Sequence, residues 1–191
     1  MPVRPPPFQS LRALLRRELV SEEGDETLAL MGHLRAARRR GWLTREEFLA
    51  MCRWKSPRAT RHYRLNPPGE VRAASRAALA TRSERRRLEL LTNLRGVNVP
   101  VASAILTLMY PRRYGVLDIR AWQLLHALGV VASRPDGRGF TFAHWREYLG
   151  VLRSEARALG VSARAVEYTL FCCHRKFQAG RLYESRRRRR A

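Results

Sequence analysis

Apolar positions recur at helical spacing from the first ordered stretch of the chain onward. Over residues 8–20, Leu11, Leu14, Leu15 and Leu19 fall on one side, with arginines between them. Ser21, followed by Glu22 and Glu23, predicts a fresh helix start, and Leu28, Met31 and Leu34 continue the apolar stripe. That helix runs out in a basic last turn, Arg38, Arg39 and Arg40, closed by Gly41. Cations there complement the helix dipole, and glycine takes the left-handed position that ends a helix. Thr44-Arg-Glu-Glu47 has capping-box spacing and opens the helix that carries Phe48, Leu49 and Cys52. The pattern breaks across residues 54–68, WKSPRATRHYRLNPP, where Pro57 starts a helical turn and Asn66-Pro67-Pro68 forms a connector. Amphipathic helices are predicted around residues 69–81 and 83–93. Two more follow a Pro-Asp-Gly loop at residues 135–137, near 142–159 and 162–178. No strand-length run alternates with period two, so the predicted fold class is all-α.

Residues 1–7 are proline-rich and expected to be disordered, residues 8–180 to form one helical domain, and residues 181–191 to be a basic tail. Residues 186–190 are all arginine, a like-charge run with nothing to pack. No apolar run approaches a membrane span, and MPVRPPPFQS lacks the apolar core of a signal peptide. The expectation is a cytoplasmic, nucleoid-associated location without a membrane partner.

Charge changes the picture most. The 191 residues are 45% hydrophobic, enough for a core, yet carry a net charge of +22. Such an excess calls for a polyanion, nucleic acid first and an anionic membrane second. Nearly all of it is arginine, since Lys55 and Lys176 are the only lysines. Cys52, Cys172 and Cys173 are odd in number and two are adjacent, which suits neither a disulfide framework nor a tetrahedral zinc site. With no further ligands nearby, no iron–sulfur cluster is expected, and the thiols read as core residues. His62, His126, His144 and His174 show no metal-ligand spacing, so no metal is expected. Ser56, Ser103 and the cysteines lack a neighbouring His and acid for nucleophilic catalysis.

Residues 94–122, LRGVNVPVASAILTLMYPRRYGVLDIRAW, hold the candidate chemistry. Gly96 permits positive φ, and Asn98 both tolerates that region and makes a strong N-cap. Pro100 sits in the first helical turn, where a missing N–H costs nothing. The predicted result is a helix, a short hairpin and a second helix. The amides of Gly96, Asn98 and Val101 would then face outward and donate to a phosphate oxygen. Ala102, Ser103 and Ala104 let the two helices approach closely. Asp118 then stands at the start of the helix IRAWQLLHALG, either as its cap or as a reacting group.

This segment resembles the helix-hairpin-helix plus GPD signature of the endonuclease III superfamily of DNA glycosylases, which shows an L-P-G-V-G-x-x-x-A hairpin, an apolar helix and then an aspartate. Leu94, Gly96, Val97 and Ala102 match the hairpin, and Asp118 falls 22 positions after Gly96, the spacing of the endonuclease III branch. Three departures matter. Asn98 stands where a second glycine is usual. Pro100 replaces the nucleophilic lysine of the bifunctional members, which excludes Schiff-base chemistry from that position. The cysteine-rich cluster of many relatives is missing.

The resemblance implies two helical lobes flanking a DNA-facing cleft, with the hairpin and GPD-like segment at residues 88–129. It implies a monomer without an iron–sulfur cluster, acting on double-stranded DNA that contains a lesion. The implied reaction is monofunctional hydrolysis of the bond between a damaged or mismatched base and its sugar. Asp118 would be the catalytic carboxylate, since a flipped-out sugar gains oxocarbenium charge as its base leaves. A helix N-terminus favours the ionised form that this role needs.

The early region of the resembling fold faces the lesion and supplies intercalating or base-recognition side chains. This makes Trp54 and Lys55 candidates, against readings as core packing and surface charge. Trp122, four residues after Asp118, and Tyr114 are candidates for stacking on a base, against core packing. Arg112, Arg113 and Arg120 are candidates for phosphate contacts. Two other classes stay open: a helix-hairpin-helix module that binds DNA without catalysis, and an interaction protein whose basic surface binds RNA or another acidic partner.

Overall fold

The computed structural model describes residues 7–177; the expectations for the proline-rich start and the arginine tail lie outside them. Among the described residues there is no strand. In order come α1 (Leu11–Glu18), α2 (Asp25–His33), α3 (Arg35–Arg40), α4 (Arg45–Lys55), a 3-10 turn (Pro57–Ala59), α5 (Thr60–Tyr63) and α6 (Pro68–Ala80). After these come α7 (Glu84–Thr92), α8 (Val99–Met109), α9 (Ile119–Ala127), α10 (Phe142–Leu159) and α11 (Ala163–Phe177). No helix among them is long and apolar enough to cross a membrane.

Local rules account for many of the boundaries. The Thr44 hydroxyl accepts from the Glu47 amide, while the Glu47 carboxylate accepts from the Thr44 amide at 2.7 Å, a complete capping box. Gly41 ends α3 at φ 78°, in the left-handed region. Pro57 opens the 3-10 turn and Pro68 is the first residue of α6, both places where a missing N–H is harmless.

The N-terminal expectations need correction. α1 ends at Glu18, leaving Leu19 36% exposed, and α2 starts at Asp25 behind Gly24 rather than at Ser21. Leu28 is therefore rotated off the core face and is 52% exposed, while Leu34 is fully buried. A break at Leu34 also splits the single predicted helix into α2 and α3.

α8 is the axis of the core. Each residue from Val101 to Met109 is buried, and α2, α4, α7 and α10 pack around it. The short side chains of Ala102 and Ala104 leave room for these neighbours. A buried extended segment, residues 114–117, then leads from α8 toward α9. It threads so close to α10 and α11 that a Cβ on Gly115 would clash with Leu152 and lie 2.8 Å from Glu167 Cβ.

That segment fixes where α9 begins. The Ser103 hydroxyl accepts from the Leu117 amide at 2.8 Å, and the Tyr148 hydroxyl donates to the Val116 carbonyl at 3.0 Å. The Val116 amide donates to Glu167 at 3.2 Å. Buried backbone groups must find partners, and here the partners come from three different helices. The start of α9 is thereby held against α8, α10 and α11 together.

Candidate functional site

Asp118 is the N-cap of α9, its Oδ1 accepting from the Arg120 amide at 2.9 Å. Its other oxygen, Oδ2, receives Lys55 Nζ at 2.5 Å, from the last residue of α4. Both side chains keep a window to solvent, 15% of Lys55 and 20% of Asp118. Burial alone would raise the Asp118 pKa. The charge and hydrogen bond of Lys55, with the Arg120 amide, outweigh it and hold the carboxyl below its ordinary value. The group is an anion at neutral pH with one cation against it.

The pair lines an open cavity of about 270 Å³ formed by α4, α11, the segment that leads into α9, and Glu23 with Thr27 at the start of α2. Trp54 forms one wall, its indole N–H donating to the Thr27 hydroxyl at 3.1 Å; Tyr168 and Phe171 form another. Arg164 stands 5.5 Å from the centre of the Trp54 ring and 4.7 Å from that of Tyr168. It is fixed by Glu23 at 2.7 Å and by the buried Glu167, which hold its pKa up against the effect of burial. Burial pushes the Glu167 carboxyl upward in spite of Arg164. The cavity lining thus combines the rings of Trp54, Tyr168 and Phe171 with the charges of Arg164, Glu167 and the Asp118–Lys55 pair.

Trp54, Lys55 and Asp118 are therefore brought together, as neighbours in space from positions far apart in sequence. Tyr114 and Trp122 are not. Tyr114 is 1% exposed, stacks on Trp145 with centroids 6.0 Å apart, and donates from its hydroxyl to Glu84 at 2.9 Å. Trp122 is fully buried against Phe140, His144 and Tyr148, and its indole N–H donates to the Ser133 carbonyl at 3.0 Å. The four-residue spacing from Asp118 misleads because Asp118 is a cap with extended backbone, not a member of the helical face.

At the α7–α8 turn, Gly96 takes φ 83°, and a Cβ there would stand 2.8 Å from His62 Cβ. Asn98 stays at φ −100° and caps α8 instead, its Oδ1 accepting from the Val101 amide at 3.1 Å. Val101 is thereby corrected. Its N–H is already used by the cap and its side chain is buried, an outcome the N-cap rule itself implies. Among the described residues, no acceptor takes the amides of Gly96, Asn98 and Val99, and Gly96 and Asn98 are exposed.

The arginines separate too. Arg112 is exposed beyond the C-terminal end of α8, about 16 Å along that helix from the turn at its start. Arg113 is tied to Glu84 at 2.7 Å, and both arginines line a separate hollow with Arg38 and Arg87. Arg120 lies near the cavity, its guanidinium 5.8 Å from the centre of the Phe171 ring.

Glu23, Arg164, Glu167, Tyr168 and Phe171 escaped the sequence reading. One signal for them was present: Glu167 sits on the same helical stripe as Ala163, Val166 and Leu170, an acid among core positions. Among the described residues, no three His, Cys, Asp or Glu side chains gather as a metal site, and Cys52, Cys172 and Cys173 are free thiols. No family model, curated protein or solved structure matches the chain.

Proposed function

We propose that this protein is a DNA glycosylase-like enzyme that hydrolyses the bond between a damaged or mismatched base and its deoxyribose, without a covalent lysine intermediate in the hairpin. The observation that carries this reading is the placement of Asp118, an ionised carboxylate at a helix N-terminus that faces a small aromatic-walled cavity. A sugar losing its base gains positive charge, and a fixed carboxylate beneath the ring stabilises that charge and orients the attacking water. The cavity lies just under the roughly 300–1,000 Å³ of drug-sized ligand sites, a scale that suits one flipped nucleotide.

The α7–α8 turn supplies the grip in this reading. Its amides at Gly96, Asn98 and Val99 donate to phosphate oxygens as those of a helix-hairpin-helix do, independent of sequence. The net charge of +22 adds the long-range attraction that brings duplex DNA to it.

A second reading has its own observation. Lys55 lies so close to Asp118 that the pair also serves as a tie between α4 and α9, as expected of a hairpin module that binds DNA without chemistry.

Duplexes carrying uracil, 8-oxoguanine, hypoxanthine, alkylated purines or mismatches, incubated with the full chain and then treated with hot alkali, separate the two. The enzyme reading expects strand breaks at one class of lesion, abolished in Asp118→Asn while duplex binding persists. Binding that ignores every lesion, with no alkali-labile product from any of them, gives the module.

A further inference from the structure

We infer that the hollow at the C-terminal end of α8 is a docking site for an acidic peptide segment of a partner protein, one that carries large apolar side chains between carboxylates. The hollow has a volume of about 620 Å³, against about 270 Å³ for the cavity at Asp118. That lies within the roughly 300–1,000 Å³ typical of ligand sites. Residues of α3, α6, α7 and the turn after α8 line it.

Its charge is unbalanced. Arg38, Arg87, Arg112 and Arg113 are all in the lining, and no acidic residue is. Glu84 answers Arg87 at 3.0 Å and Arg113 at 2.7 Å, but it is shared with Arg153 at 2.9 Å. Arg38 and Arg112 have no carboxylate partner among the described residues. Arg38 is half-buried and donates only to neutral carbonyls, from Nε to Met109 at 2.8 Å and from Nη2 to Met31 at 2.8 Å and Leu108 at 3.2 Å. Burial, then the like charge of Arg35, lower its pKa, yet a guanidinium stays protonated. The negative end of the α8 dipole offsets part of that charge. No anion does, and Arg38 Nη1 has no acceptor among the described residues.

The rest of the lining is apolar and selects among anions. Leu79, Met109 and Pro111 share it with Tyr110. A duplex presents phosphates and sugars there, with no apolar group of side-chain size to bury. An acidic peptide supplies both parts: apolar side chains for this lining, and carboxylates that pair with the guanidinium forks. The arginines come from three elements, so one carboxylate cannot meet them all, whereas carboxylates spaced along a peptide can. The chain's own arginine run at residues 186–190 has the wrong sign, and a second copy at +22 is repelled.

The site is also built in advance. The Pro111 carbonyl accepts from the Arg164 amide at 3.0 Å and the Arg112 carbonyl from the Ala163 amide at 3.3 Å, which fastens the turn to the start of α11. With Arg38 fastened to α8 and Arg113 to Glu84, little ordering remains to oppose binding.

This site needs neither the DNA grip nor the base release proposed above, and its test involves no lesion. A fluorescein-labelled peptide of two aspartates, leucine, phenylalanine and two aspartates is titrated with the full chain at about 0.15 M salt, and its anisotropy is followed. Saturable binding is expected. Arg112→Glu should weaken it by about tenfold or more, and Arg146→Glu, the same charge change on an exposed part of α10 outside the hollow, by less than about twofold. Replacing the leucine and phenylalanine with glycines should also cost about tenfold. No saturable binding, equal losses in the two variants, or equal affinity for the glycine peptide would each overturn the site. A duplex oligonucleotide that loses as much affinity as the peptide in Arg112→Glu would give the hollow to DNA and overturn it too. Each outcome holds whether or not any lesion yields an abasic product.

Discussion

Lys55 Nζ lies 2.5 Å from Asp118 Oδ2, joining the last residue of α4 to the N-cap of α9 across 63 positions of chain. The contact has two consequences. It neutralises a carboxylate that the cavity would otherwise disfavour, and it sets the distance between two helices that share no face. Each can be measured separately.

Removing the ammonium should move the acid limb of the proposed base release. In Lys55→Met, Asp118 keeps its burial and loses its cation, so its pKa rises and the ionised form is lost at a higher pH as the solution is acidified. The pH–rate profile for base release should shift its acid limb upward in Lys55→Met and return toward the parent in Lys55→Arg. A profile that does not move assigns Lys55 to the tie alone. Urea unfolding should show a loss of about 1–3 kcal/mol for Lys55→Met, between an exposed pair and a fully buried one.

Gly96→Ala should damage fold and grip together. The residue sits at φ 83°, where a side chain is strained, and the added methyl would meet Tyr63 Cδ1 at 2.9 Å as well as His62. A cost of about 1–3 kcal/mol in denaturant unfolding is expected from the backbone alone. Duplex affinity should fall by more than this loss of folded protein explains, because the amides beside Gly96 are displaced. Unchanged affinity would remove the turn from the interface.

Stability should fall in two steps on acidification. Burial, then the nearby Arg120, depress the His174 pKa to about 4, with its Nε2 3.0 Å from Gln123 Oε1. An unfolded histidine titrates near 6.5, so the unfolded chain binds the extra proton first. The stability present above pH 6.5 is lost as pH falls toward 4, by roughly 3 kcal/mol in total. His174→Gln should flatten that limb.

Glu84 gives the lower step. Burial raises its pKa, but Arg153, Arg113 and the Tyr114 hydroxyl outweigh it and bring the carboxyl to about 2. Its contribution is present above the ordinary carboxylate range and is lost as pH falls through 2. Thermal unfolding at a series of pH values resolves both steps, and Glu84→Gln should remove the second.

Arg112 and Arg113 should behave differently despite adjacency. Arg113 is committed to Glu84, so Arg113→Ala should lower stability by a few tenths to about 1 kcal/mol, the scale of an exposed pair in a network. Arg112→Ala should leave stability within about 0.5 kcal/mol. If Arg112 touches a phosphate, its loss reduces the salt slope of duplex binding by about 1. An unchanged slope places the DNA away from this end of α8.

Periodicity and capping chemistry act within a few residues, and those parts of the protein were legible in sequence. The Thr44 box, the Gly41 stop, the Asn98 cap, Pro100 in the first turn of α8 and the long α10 follow from neighbours along the chain. Leu28 and Ser21 show where this fails. A stripe of apolar residues does not say where the helix carrying it begins, and a start shifted to Asp25 turns Leu28 outward.

Sequence by itself determined an all-helical chain of high positive charge and singled out Asp118 at a helix start. Tertiary structure alone decided what surrounds that carboxylate. It brought Lys55 and Trp54 to it, sent Tyr114 and Trp122 into the core, and set the paired Arg164 and Glu167 in the lining of the cavity. The physical reason is that capping is a contact between residues two or three apart. The charge and walls of the cavity come instead from side chains on helices distant in sequence, which packing around α8, α9 and α11 fixes.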